Sequence, residues 1–311
     1  MYRAGYVGVC PDCGDGGTSY LTLFFQLIVS GLGFGAVYAL GAISLTVIFN
    51  TSNVVNFASA SLSSAVALLM WVALYRLHLP IALAWLFAMA CAVVIGMVVE
   101  AAFMRRVEKA SIIVQIVLTL GLLLAIEGLD GALYGFNPKT LPHVMKGSSI
   151  AIGSVFLDPN DAFILAMTLV FTAVLFFVYK RTRLGLALRA VASDRDAASL
   201  MGIQTQRLVS LSWAIGVLLA GVSAIVIAPS ISLTPTFMEN IAVFAFAAAV
   251  LGGFGSLPGA LVGGLLIGVM SNLVSGYISN NLQLTFVFIL IMIVLYVRPN
   301  GLFGKRTAVR Q

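Results

Sequence analysis

From Leu21 to Phe49 the chain runs 29 residues without a charged side chain. As a helix rising 1.5 Å per residue, that run is about 43 Å long, against roughly 30 Å for the hydrocarbon core of a bilayer. It must either tilt as one helix or break, at Gly31, Gly33 or Gly35, into two. More apolar runs follow, each bounded by charged or turn-forming residues. They cover Phe57 to Tyr75, Ile81 to Met104, Ile112 to Tyr134, Ala162 to Tyr179, Leu208 to Ala228, the shorter Ile241 to Leu251, Ala260 to Ile278 and Leu282 to Val297. Unbroken runs of this length do not alternate as barrel strands do. The expected fold is all-α, a polytopic membrane protein of about eight to ten transmembrane helices.

Composition supports lipid as the solvent. Apolar residues make up 61% of the chain and charged residues 9%, where a soluble domain carries about 25% charged residues. The net charge of +6 is a matter of orientation and not of nucleic-acid binding. Threading nine crossings puts Arg3, Arg76, Lys139 and Lys146 on one side and the other 13 of the 17 Lys and Arg residues on the opposite side. The richer side is cytoplasmic. Residues 1–19 read as a polar tail, 20–304 as the transmembrane domain and 305–311 as a basic cytoplasmic tail. No cleavable signal peptide is expected, because the first apolar run is too long. Cys91 reads as a small hydrophobe. The Cys10–Cys13 pair lacks a second ligand pair, so no metal is expected.

The cytoplasmic stretch from Lys180 to Arg207 is too long for a tight turn. Within it, Asp196, Ala197, Ala198 and Gly202 suit a short helix that seats in a groove and stops at glycine. Asp194 and Asp196 fall near its start, where negative charge is favoured. Two readings stand on physics alone: a docking helix for a protein partner, or an amphipathic helix lying on anionic lipid.

The pattern Asp196-Ala197-Ala198-x-x-x-Gly202 resembles the cytoplasmic coupling loop of ABC importer permeases. Arg183-x-Gly185-x-x-x-Arg189-Ala190, followed by Ala197-Ala198 and Gly202-Ile203, resembles the branched-chain amino acid permease family, its H-type subunit in particular. Gly35-x-x-Tyr38-Ala39-Leu40, Asn53-x-x-Asn56-Phe57-Ala58 and the glycine-rich 252–264 segment match in the same order, from about residue 25 to 300. The chain departs from the family in having Asp196 for the usual glutamate, Ser59-Ala60 for a common His-Gly, and no Ile-x-Leu-Pro ending. The resemblance implies translocation of branched-chain or related amino acids across a bacterial cytoplasmic membrane. It implies a second related permease subunit, two cytoplasmic ATPase subunits and an external substrate-binding protein. It also implies that Arg183, Gly185, Arg189, Asp196, Ala197, Ala198 and Gly202 couple the chain to the ATPases. No cofactor and no catalytic residue are expected, and no phosphate-binding loop GxxxxGK[ST] is present.

Polar residues at membrane depth are costly and mark pathways. Asn53, Asn56 and Phe57 are candidates for a non-helical lining of the path, because Asn50-Thr51-Ser52-Asn53 interrupts two apolar runs. Glu127 and Asp130 share a helix face and are path candidates at the outer side; an interfacial position is the alternative. Glu100, close to Arg105 and Arg106, is expected to snorkel. Gly259, Gly263, Gly264 and Gly268 form stripes for close helix packing, within one subunit or between two. A secondary transporter or channel is the rival function. A serine protease at Ser256 is a distant one, since the histidines, His78 and His143, fall in outer loops.

Overall fold

The computed structural model describes residues 16–143, 150–152, 155–298 and 301–304. Cys10, Cys13, Arg3, Lys146 and the 305–311 tail lie outside them. The helices are α1 (Gly16–Ser52), α2 (Ser59–Tyr75), α3 (Ile81–Ala102), α4 (Ile112–Tyr134), α5 (Pro159–Arg181), α6 (Arg183–Ser193), α7 (Arg195–Leu200), α8 (Thr205–Ile227), α9 (Glu239–Gly252), α10 (Leu257–Tyr277) and α11 (Gln283–Val297). Two 3₁₀ turns, Met104–Val107 and Asn280–Leu282, precede α4 and α11. A short antiparallel hairpin pairs Ile150–Ile152 (β1) with Val155–Leu157 (β2) in the loop before α5. Among the described residues, seven helices are long and apolar enough to cross a membrane, and α2 and α9 are two further, shorter apolar helices. The fold is that of a polytopic all-α membrane protein.

The first apolar run does not break. α1 is a single helix of 37 residues, and it begins inside the stretch read as a tail. Its glycines are contact points and not hinges. A Cβ at Gly31 would lie 2.9 Å from the Cα of Val269, and one at Gly35 would lie 3.0 Å from the Cα of Leu265. α1 and α8 form the centre, with 78% of their most apolar stretches buried, against 6% for the stretch that contains α11. The outward faces of α3, α4, α5 and α11 carry Leu86, Leu124, Phe177 and Tyr296, all exposed, as lipid-facing residues should be.

Close packing replaces the hydrophobic effect as the force that gathers helices in lipid. α10 lies on α1 through Gly264, where a Cβ would sit 2.3 Å from the Cα of Ala39. It lies on α9 through Gly259 and Gly263, whose Cβ positions fall 2.2 Å from Gly252 O and 2.3 Å from Ala248 O. The glycine stripes are therefore filled within the chain. Tyr38 of α1 stacks on Phe244 of α9 at 4.9 Å and 11°.

The loops separate into two ends. At one, Lys139 and Leu233 exchange backbone hydrogen bonds of 3.0 and 2.9 Å. Lys139 Nζ donates to Tyr134 O at 2.6 Å and sits 5.2 Å from the centroid of Trp71, and Asn160 Nδ2 donates to Ser230 Oγ at 2.8 Å. At the other, Asn50 Nδ2 donates to Gly255 O at 3.2 Å, and Leu302 N donates to Leu251 O at 2.9 Å. The loops grouped by charge as outer and cytoplasmic are thus grouped in space as well.

Candidate functional site

The segment between α5 and α8 is two helices. Thr182 caps α6, its Oγ1 accepting from Gly185 N at 3.1 Å. A Cβ on Gly185 would fall 2.2 Å from Val178 O, so only glycine lets α6 fold back against the end of α5. Arg183 and Arg189 are exposed on α6, and Arg189 Nε donates to Gly185 O at 3.3 Å.

Helix α7 follows at once. Asp194 is its N-cap, accepting from Ala197 N at 2.9 Å, and Asp196 lies exposed in its first turn. At its end Ile203 N donates to Ala198 O at 3.2 Å and Gly202 N to Ser199 O at 3.0 Å. This bond pair is a Schellman stop, and it needs a left-handed residue; Gly202 supplies φ +80°. Ala198 is buried beneath the helix and Ala197 is exposed. The tip presents Leu200 and Met201 at 88% and 83% exposure.

A second feature lies at membrane depth. α1, α2, α8 and α9 meet around a cleft of about 20 Å³ lined by Gly41, Leu45, Ser59, Ser63, Ser223 and Ile241, among others. A water needs about 10–15 Å³, so the free volume of the cleft is about that of one water. Ser63 and Ser223 donate to Ala60 O at 2.8 Å and Ala220 O at 2.7 Å, which leaves hydroxyl lone pairs as acceptors. At the end of the bundle where α1 stops, four rings run in series. Phe57 lies 6.1 Å from Phe246, Phe246 lies 5.6 Å from Phe254, and Phe254 lies 5.0 Å from Phe49.

The sequence-selected path residues fall into two groups at opposite ends. α1 carries Asn50, Thr51 and Ser52 inside its last turn, so the break comes later than the first polar residue. Residues 53–58 are non-helical. Asn53 turns the chain with φ +56°, a left-handed conformation that asparagine tolerates. Asn56 is fully buried; its Oδ1 accepts from Ala58 N at 3.1 Å, and its Nδ2 has no partner. Glu127 and Asp130 lie in the outer half of α4, away from this turn. Glu127 faces Glu239 at the start of α9, and Asp130 is buried with Oδ2 unpartnered.

A family model described as "Branched-chain amino acid transport system / permease component" matches residues 27–297. The chain belongs to this family. It is 29% identical over 295 residues to the high-affinity branched-chain amino acid transport permease LivH of Salmonella typhimurium, covering 91% of this chain and 96% of the relative. LivH of Escherichia coli K12 is 28% identical over 296 residues, with the same coverages. BraD of Pseudomonas aeruginosa is 26% identical over 295 residues, again at 91% and 96%. No solved structure matches.

Ser256 is a helix cap in this member of the family: its Oγ accepts from Gly259 N at 3.2 Å. It sits beside Gly255, near the end of α1, whereas His78 follows the end of α2 at the opposite end of the bundle. Glu100 does not snorkel. It is 1% exposed and bonded to Arg105 and to Ser210 of α8. Sequence reasoning missed the cleft residues Ser59, Ser63 and Ser223. The one local signal for them was the density of serines at the start of α2.

Proposed function

We propose that the chain is the membrane-spanning permease subunit of an ATP-driven importer that carries branched-chain amino acids into the cytoplasm of a bacterium. The observation that carries this reading is the family match over residues 27–297, joined by relatives whose names are those of branched-chain amino acid transport permeases. Energy comes from two separate ATPase subunits, substrate is delivered by an external binding protein, and a second permease subunit completes the path.

Helix α7 is the docking helix. Leu200 and Met201 leave a large apolar tip in water. Burying one such side chain in a partner groove contributes roughly 1.5–3 kcal/mol. Arg183, Arg189 and Asp196 flank the tip with charges able to fix its orientation, while Gly185, Ala198 and Gly202 hold the backbone that presents it.

The cleft between α1, α2, α8 and α9 is the closed route. A zwitterion with a branched alkyl chain needs a few polar contacts and an otherwise apolar wall. Ser59, Ser63 and Ser223 supply the first, and Asn56, three residues before Ser59, holds a buried unpaired Nδ2. Leu45, Ile241 and Met238 supply the second. Phe57, Phe246, Phe254 and Phe49 shut the cytoplasmic mouth, with Asn53 turning the chain beside them. Glu127 and Asp130 belong to the outer half.

The deciding experiment is purification of the tagged chain co-expressed with its ATPases and second permease, followed by reconstitution with the binding protein. Co-purified ATPases and ATP-dependent leucine uptake are expected. Leucine uptake without ATP, or no retained ATPase, would overturn the reading.

A further inference from the structure

Between α3 and α4 the chain makes a 3₁₀ turn, Met104–Val107, followed by Glu108. The turn joins two polar contacts that line one pocket. On one side Arg105 pairs with Glu100 of α3 at 2.9 Å, where the Glu100 side chain is only 2% exposed. Arg105 also donates to Ser210 Oγ of α8 at 3.0 Å, and Ser210 donates to Glu100. On the other side Glu108 forms an ion pair with Arg195, the first residue of α7. Glu108 further accepts from Gln206 Nε2 in the first turn of α8 at 3.4 Å, and its backbone oxygen accepts from Gln115 Nε2 of α4 at 3.1 Å. Residues three apart eclipse one another in a 3₁₀ helix, so Arg105 and Glu108 leave the turn on the same side.

Deeper in the membrane, α3 and α8 are in backbone contact. A Cβ on Gly96 would lie 2.7 Å from Trp213 O and 2.9 Å from the Cα of Ala214. A displacement of α3 at the cytoplasmic surface is therefore shared with α8, which lines the cleft through Ala220 and Ser223.

We infer that the 104–108 turn is a coupling strut. Arg195–Glu108 receives the motion of the docking helix, and Arg105–Glu100–Ser210 delivers it to the α3–α8 pair that walls the route. This rests on the reading of α7 as the ATPase-docking helix. It adds an ion pair to the covalent connections of α7, which run through α6 and the Met201–Gln204 link to α8. The two halves differ in kind. Glu100 is buried, so removing Arg105 leaves a carboxylate without its charged partner in a dry site and threatens the fold. The Arg195–Glu108 side is partly exposed, so changing it leaves the fold standing. Glu108 and Arg195 are positioning residues, acting through α3 and α8 on a path they do not touch.

The test uses the whole complex, purified with its ATPases and reconstituted with the binding protein. The variants are Glu108→Gln, Arg195→Gln and the exchange Glu108→Arg with Arg195→Glu. Residues in one network couple strongly enough to change an equilibrium about threefold to tenfold. Each single variant is expected to retain its ATPases and melt normally, while the ATP hydrolysed per leucine imported rises by about that factor. The exchange is expected to return the ratio to near the unmodified value. Single variants with an unchanged ratio, or an exchange no better than the singles, overturn the strut. So do singles that shed the ATPases, because the pair then serves docking and not transmission. If the unmodified chain retains no ATPase, the docking reading fails together with everything built on it.

Discussion

Gly268 of α10 and Gly35 of α1 meet backbone to backbone: a Cβ on Gly268 would lie 2.1 Å from the Cα of Gly35. No side chain fits there, and the nearest atoms are main chain that cannot rotate away. Gly268→Val should therefore separate α1 from α10 and lower the melting temperature of the detergent-purified chain, at a cost of about 1–3 kcal/mol or more. Gly121 of α4 is the control, with nothing within 4 Å of its Cβ position. Gly121→Ala should be neutral or slightly stabilising, by up to about 1 kcal/mol. Equal melting of the two variants would refute the close-packing argument.

The stop of α7 separates backbone strain from volume. Gly202 has φ +80° and nothing within 4 Å of its Cβ position. Gly202→Asn should be accepted, since asparagine visits the left-handed region, whereas Gly202→Val should distort the turn by about 1–2 kcal/mol. ATPase co-purification should fall for valine and hold for asparagine. Similar retention in both would mean that the turn does not position the docking tip.

Leu200 and Met201 are the most exposed apolar pair on the cytoplasmic segment. Replacing both with Asp should leave melting unchanged and reduce ATPase retention at least about tenfold, because charge enters an apolar groove at a cost of several kcal/mol. Unchanged retention in pull-downs would place the docking surface elsewhere.

Orientation is checked by single cysteines in a cysteine-free background. Asn137 and Ser193 are both exposed, near opposite ends of the molecule. In intact cells an impermeant thiol reagent should label Asn137→Cys and spare Ser193→Cys until the membrane is opened. The reverse pattern would invert the topology.

The cleft is tested by filling it. Ser63→Leu adds volume where about 20 Å³ is free, and Ser63 also gives up a bond to Ala60 O. Assembly should survive, because the wall is made of four helices with other contacts, while leucine uptake should fall to a small fraction. Normal uptake by an assembled Ser63→Leu complex would move the route away from this cleft.

The sequence by itself determined the solvent, the helical class and the approximate course of the apolar spans. Those follow from apolar run length set against bilayer thickness. The short helix that stops at Gly202 was legible because Asp194 at its start and the glycine at its end lie within a few residues of one another; the separate helix before it, capped by Thr182, was not. Tertiary structure decided which distant residues meet. Leu21 to Phe49 had two possible forms, one tilted helix or two short ones, and the fit of Gly31 and Gly35 against α10 holds it as one. Glu100 looked like a snorkelling residue beside Arg105 until Ser210, 110 positions away, came to bond it. Ser63 and Ser223 are each bonded within their own helix, and beyond the density of serines at the start of α2 nothing local marks a cleft that they share. Asn56 was selectable from its place in a polar break, but its burial was not. Hydrogen bonding along one helix is written every four residues, whereas contact across helices depends on crossing geometry that no single segment contains.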